Sequence, residues 1–199
     1  MTVDELDVRR VPKPQRHPLI FDRFSNLACG AAFVVVNSHD PRHLRDEFER
    51  DQAGAFTWEY LEAGPKEWRI RIGKTSATSL PRVLCNVDTV ERDEVTQDAA
   101  GALWKLEMHE RHLDANIIRL HKDDRIAPHR GPDLDVLLLV VAGDGELITT
   151  VGTSALRSGD LAWLPRGSER SFHAGPEGLS YLTVHPRRPA LNIADAAAR

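Results

Sequence analysis

Apolar and polar positions change rhythm near residue 74. Before it, helical and strand spacings alternate. Leu6, Asp7 and Val8 read as a short strand, and VPKPQRHP after them as a connection held open by three prolines. Leu19, Ile20, Phe24 and Leu27 recur at helical spacing, with Pro18 as the first helical residue and Gly30 as the stop. The apolar run 31–37 is a buried-type strand. Asp40-Pro41 opens a second helix in which the Asp40 carboxylate caps free N–H groups, while Leu44 and Phe48 mark its inner face. Phe56, Trp58 and Tyr60 alternate with Thr57 and Glu59, then Trp68, Ile70 and Ile72 with Arg69 and Arg71, around a Gly64-Pro65 turn. The predicted order is β-α-β-α-β-β, a two-layer sandwich with helices on one face of a small sheet.

Beyond residue 103 only strand spacing is found. Strands are predicted at 103–111, 116–121, 136–141, 146–150, 154–156, 160–164 and 179–184, with Gly143-Asp144-Gly145, Gly152 and Ser158-Gly159 as tight turns. Short strands at this spacing predict an all-β sandwich or barrel over 103–189. Residues 75–102 are rich in Thr, Asp, Ala and charge and read as a linker or edge arm, with a strand at 82–87. Residues 190–199, ending ADAAAR, have no core-facing pattern and read as a flexible tail. The fold class is therefore α+β, in two domains, 5–74 and 103–189.

Composition narrows the function. With 41% hydrophobic and 28% charged residues the chain is an ordinary globular one, and its net charge of −4 provides no basic field for nucleic acid. The longest apolar run, 136–142, is far short of the roughly 20 residues that cross a bilayer. A charged opening, MTVDELDVRR, has no apolar signal core, and the two cysteines, Cys29 and Cys85, build no disulfide framework. These features predict a cytoplasmic protein that meets neither membrane nor nucleic acid.

LDVR, RHPLIF, NSHDPRHLRDEF and FTWEYLEAGPKEWRIRI follow one another across 5–74. In that order they resemble a family of unknown function that neighbours the TusA/SirA sulfur carriers. The carriers hold a cysteine in a Cys-Pro-x-Pro motif at the start of the first helix, where the helix N-terminus favours a thiolate. Here Lys13-Pro14 stands at that place and Cys29 is predicted at the far end of the helix, so sulfur transfer is not expected. Arg16, His17, Asn37 and His39 fall at the sheet-to-helix connections. Either they form a small site for a metal or an anion, or His17 and Asn37 secure loop backbone while Asp40 caps its helix.

The segments IAPHRGPDLDVLLLVVAGDGEL and LRSGDLAWLPRGSERSF resemble the two motifs of a cupin, a double-stranded β-helix barrel. Gly159, Pro165 and Gly167 carry the second motif. The resemblance implies a divalent metal on three histidines and one glutamate. Aligned here, those positions hold His129, Gly131, Val136 and Arg170. A metal site, if present, falls to His129, Asp133 and a displaced His173, which alternation of side chains along a strand disfavours. His109, His112, His121 and His185 read as exposed or strand-end residues.

Arg170 beside His129 in a pocket of Val136, Leu138, Trp163 and Phe172 is a fixed cation that must find an anion. That anion is either Asp133 or Asp135 within the chain, or a small carboxylate or phosphate held bidentately. Three functions stay open, one of them a structural or dimer-forming pair of modules with no ligand. Another is non-catalytic binding of a small anionic molecule, with a regulatory role, by a homodimer. The third is a metal-dependent enzyme of dioxygenase or isomerase type built around His129.

Overall fold

A computed structural model describes residues 4–92 and 100–187 of the chain. The tail expected at 190–199 lies outside these residues. The described chain is a mixed α+β protein with a four-stranded and a seven-stranded sheet, and it divides into two units, Met1–Arg82 and Val83–Arg199.

The first unit runs β1 (Glu5–Asp7), α1 (Lys13–Ser25), β2 (Ala32–Asn37), α2 (Arg42–Asp51), β3 (Phe56–Ala63) and β4 (Trp68–Lys74). Its sheet has the order β1-β2-β4-β3, in which β1 and β2 are parallel and the other pairs antiparallel. Ile20 and Phe24 from α1 and Leu44 and Phe48 from α2 pack with Phe33, Val35, Ile70 and Ile72, so both helices bury their apolar stripes on one sheet face. Residues two apart face the same way, which puts Arg69 and Arg71 on the opposite face, paired with Glu5 and Glu59. Phe48 is fully buried and central, stacked on Phe21 at 4.4 Å and edge-on to Phe24 at 5.0 Å.

Three local readings are corrected. Helix α1 starts at Lys13, not Pro18. Pro14 fits the first turn, where N–H groups lack partners in any case, and Pro18 inside the helix removes one bond, to the Pro14 carbonyl. Asp40 does not cap α2: its carboxylate accepts from Arg42 Nε at 2.8 Å and from the Tyr60 hydroxyl at 2.9 Å. The end of α1 is instead secured by buried Lys74, whose Nζ donates to the Ser25 carbonyl at 2.8 Å and lies 5.4 Å from the Phe24 ring centroid. Residues 75–82 fold back on this unit, since Leu80 N–H bonds the Ala53 carbonyl at 3.0 Å. No strand forms at 82–87; a short helix, α3 (Val87–Arg92), follows.

The second unit contains α3 and strands β5 (Gly101–Lys105), β6 (Leu113–Leu120), β7 (Arg125–Arg130), β8 (Val136–Thr149), β9 (Gly152–Arg157), β10 (Leu161–Leu164) and β11 (Glu169–Pro186). The ladder order is β10-β8-β11-β6-β5, with β7 also on β11 and β9 on β8. Among the described residues this ladder does not close on itself, so the unit is a folded open sheet where a barrel was expected. Its interior holds Leu120, Val136, Leu138, Val140, Leu156, Leu164, Phe172, Ala174, Leu179 and Tyr181.

The two long strands are the main departure from the sequence reading. Gly143-Asp144-Gly145 is not a turn but the bend of β8, which continues through it. Gly143 has φ 72°, and a Cβ there would stand 2.1 Å from the Gly178 carbonyl oxygen, where the register of β11 shifts. Strand β7 and the first half of β11 were unforeseen because Arg125–Arg130 and 169–175 mix charged and apolar residues with little alternation. The strand expected at 103–111 is confined to β5, which bulges at residue 103 against β6. On the outer side of β6 and β11, Glu91 of α3 accepts from Arg119 at 2.8 Å and from Ser180 at 3.0 Å, which fixes the helix to the sheet.

Candidate functional site

Strands β7 and β11 pair antiparallel with His129 opposite Arg170. Before β11, the segment Pro165-Arg166-Gly167 interlocks with the end of β7: Gly131 N–H bonds the Ser168 carbonyl at 2.9 Å and Gly167 N–H the Pro132 carbonyl at 2.8 Å. This exchange sets the side chains of His129 and Arg170 at one cavity, with the backbone of Gly131 against the guanidinium. The cavity has a volume of about 290 Å³ and a floor of Ile118, Ile126, Val136, Leu138, Leu164 and Phe172. Asn116, His129, Arg170, Tyr181, Thr183 and His185 supply its polar groups.

Arg170 dominates the electrostatics. The residue is 6% exposed, and the only hydrogen bond of its side chain among the described residues is Nη1 donating to Ser168 Oγ at 3.0 Å. The internal ion pair expected with Asp133 or Asp135 is absent from the described residues. Asp133 is exposed in the loop before β8, and Asp135 accepts from the Arg166 N–H at 2.9 Å, both turned away from the cavity. Burial therefore lowers the Arg170 pKa from its ordinary value, opposed in part by Tyr181. Burial also pushes the Tyr181 hydroxyl up to about 12, so it stays protonated and able to donate. Its ring stacks on Phe172 with centroids 5.6 Å apart.

Gly131 makes room for this arrangement. A Cβ at that position would stand 2.2 Å from Arg170 Nη1 and 2.5 Å from Cζ. The two positions are thus coupled: a guanidinium occupies the space that any side chain at 131 would fill. Gly131→Ala should push the guanidinium out of this space while leaving the fold intact. A melting curve of the variant checks the fold and the Arg170 Nε–H chemical shift reads the displacement; an unmoved signal would show that the guanidinium shares the space with a methyl group.

Of the residues predicted for this pocket, His129, Val136, Leu138, Phe172 and Arg170 line it. Trp163 does not. It is 63% exposed because Leu164 takes the inward direction on β10, so alternation turns Trp163 outward beside Leu161 and Leu137, which are also exposed. Asp133 is likewise outside. His173 lies on another face, 3.7 Å from Glu146, so His129, Asp133 and His173 are not brought together. No group of three or more metal-ligating side chains occurs among the described residues, and the donor set here does not fit the metal that the cupin resemblance implies.

Tyr181 is a pocket residue that the sequence reading does not name, and His185, read as an exposed or strand-end residue, stands at the end of β11 and lines the cavity as well. The signal was available: Leu179, Tyr181, Thr183 and His185 are spaced by two on β11, so a buried Leu179 carries the other three toward the same side.

In the first unit, Arg16, His17, Asn37 and His39 do share a cleft, of about 200 Å³, with Lys13 and His43. His17 Nδ1 is 2.9 Å from Glu47 Oε2 rather than on loop backbone. Arg16 donates to the carbonyls of Val11 at 2.8 Å and Arg9 at 3.1 Å. No described helix is long and apolar enough to cross a membrane. Cys29 is exposed, after the end of α1.

Comparisons with known proteins give partial matches only. No curated protein matches the chain. Solved structures similar to part of it include a cupin protein from Bacteroides fragilis, at 14% identity and TM-score 0.37 over 43% of this chain and 74% of that one. Others are a cupin-2 domain containing protein from Shewanella frigidimarina, at 17% and 0.40 over 52% and 95%, and the polyketide cyclase RemF from Streptomyces resistomycificus, at 22% and 0.39 over 43% and 64%. Residues 5–74 match the family described as an uncharacterized conserved protein (DUF2249).

Proposed function

We propose that the second unit is a non-catalytic receptor for a small organic anion, a cupin-type pocket in which arginine replaces the metal as the positive centre. The observation that carries this reading is Arg170: a guanidinium that is 6% exposed, faces a 290 Å³ cavity and has no carboxylate partner among the described residues. A buried cation without a counter-ion is costly, and an incoming anion removes that cost while meeting a planar fork suited to two hydrogen bonds. Tyr181 offers a neutral hydroxyl nearby, and the apolar floor suits a short carbon skeleton. A carboxylate with a small apolar body is the ligand class that uses all three.

Thermal denaturation with acetate, butyrate, benzoate and inorganic phosphate tests the proposal. A bound anion at 100 times its dissociation constant should stabilise the second unit by about 2.7 kcal/mol, a rise of several degrees in Tm. Arg170→Met should abolish the rise. The reading fails if none of the four raises Tm, or if R170M keeps the response. A near-stoichiometric transition metal lost on His129→Ala would favour the metal enzyme instead.

A further inference from the structure

The first unit has chemistry that the Arg170 pocket does not use. Strands β1 and β2 are parallel, and each leads directly into a helix, so the N-termini of α1 and α2 meet at the carboxyl ends of these two strands. Both helices have proline at the capping position, Pro12 and Pro41, and neither has a side-chain cap. The Asp40 carboxylate, which could have capped α2, is held below its ordinary pKa: burial raises it, but hydrogen bonds from Arg42 and Tyr60 outweigh burial and keep it charged and engaged. The partial positive charge at the start of α2 is left unanswered by a side chain.

A second observation points to a ligand. Asn37, at the end of β2, is 5% exposed. Its Oδ1 accepts from the Ser38 N–H at 2.9 Å and from Arg16 Nη1 at 3.4 Å, and two donors on one atom fix which atom is oxygen. Its Nδ2 amide is left without a partner among the described residues, in a side chain that lines the cleft. The residue is otherwise enclosed, so this donor opens onto the cleft and is free to meet an acceptor there. The cleft also has the Lys13 ammonium and Arg16 guanidinium at its rim, with Ile20 and Leu44 forming an apolar wall. Its one lining carboxylate, Asp40, is occupied, and Glu47 nearby is taken by His17.

We propose that this cleft is a separate oxyanion site, in which Asn37 Nδ2 and the uncapped start of α2 meet the anion and Lys13 and Arg16 neutralise it. The shared chemistry is a small oxyanion on a short carbon skeleton. It does not depend on the Arg170 reading, since no residue is common to the two sites.

Titration of the full chain, followed by the side-chain amide signal of Asn37 and the ring C–H signals of His39 and His43, tests it. Inorganic phosphate and butyrate serve as separate probes, which distinguishes a phosphate from a carboxylate source. Saturable shifts with at least one probe are expected, and Lys13→Met, a change at an exposed side chain, should weaken that binding about tenfold, the size of one charged contact. The proposal is overturned if neither anion moves the Asn37 signal at millimolar concentration, or if K13M binds as tightly as the parent. Because the signals belong to the first unit alone, failure here leaves the Arg170 pocket untouched.

Discussion

Arg170→Met should make the ligand-free second unit more stable, by about 1–4 kcal/mol, in the same molecule that no longer responds to carboxylates. The sign follows from the environment. Arg170 is buried among Val136, Leu138, Phe172 and Tyr181 with one hydrogen bond to a neutral serine hydroxyl. A base whose pKa falls on folding binds its proton less well in the folded state, so the charged form it keeps at neutral pH opposes folding. Methionine replaces the aliphatic stem, carries no charge and fills irregular apolar space. Calorimetry of the full chain, with the transition of the second unit assigned by hydrogen exchange, measures the change. Destabilisation by R170M of more than about 1 kcal/mol would mean that the guanidinium already has a counter-ion, and the receptor reading would go with it.

The largest loss should come from Phe48→Ala, about 3–5 kcal/mol from the first unit. Phe48 is fully buried and touches aromatic rings from both layers: Phe21 and Phe24 on α1, and Phe56 and Trp58 on β3 at 5.2 and 5.9 Å. Removing it opens a cavity bounded by rigid rings that cannot collapse into it. Chemical denaturation followed by Trp58 and Trp68 fluorescence gives the value. A loss below about 1 kcal/mol would show that the two layers repack freely and that this core does not fix the cleft above it.

The sequence announced most elements through periodicity, and the failures have physical causes. Phe48 and Leu44 were legible because a four-residue spacing on an otherwise charged helix leaves one way to face the sheet. Pro18 misled because a proline inside the second turn costs only one bond, and the remaining side chains of α1 outweigh it. Gly143 looked like a turn because turns and close backbone contacts both require glycine, and only the position of Gly178 separates them. At the pocket, Arg170 opposite His129 could be read from motif spacing, whereas its freedom from Asp133 and Asp135 could not. That depended on a loop carboxylate being drawn to the Arg166 amide. Trp163 was misplaced by counting distance along the motif while ignoring the two-residue alternation that sends Leu164 inward.

The contact between Gly143 and Gly178 has a consequence for how this unit tolerates change. A Cβ at 143 meets the carbonyl of 178, and a Cβ at 178 would stand 2.8 Å from the Leu120 carbonyl on β6. Three strands are thus spaced by bare backbone at one level, a short distance along β11 from Tyr181. Apolar residues in the core can exchange with one another if volume is kept, but these two positions have no substitute of any size. Drift of the sequence over time should therefore leave this bend fixed and let the pocket walls vary, so that one rigid frame can be refitted to different ligands.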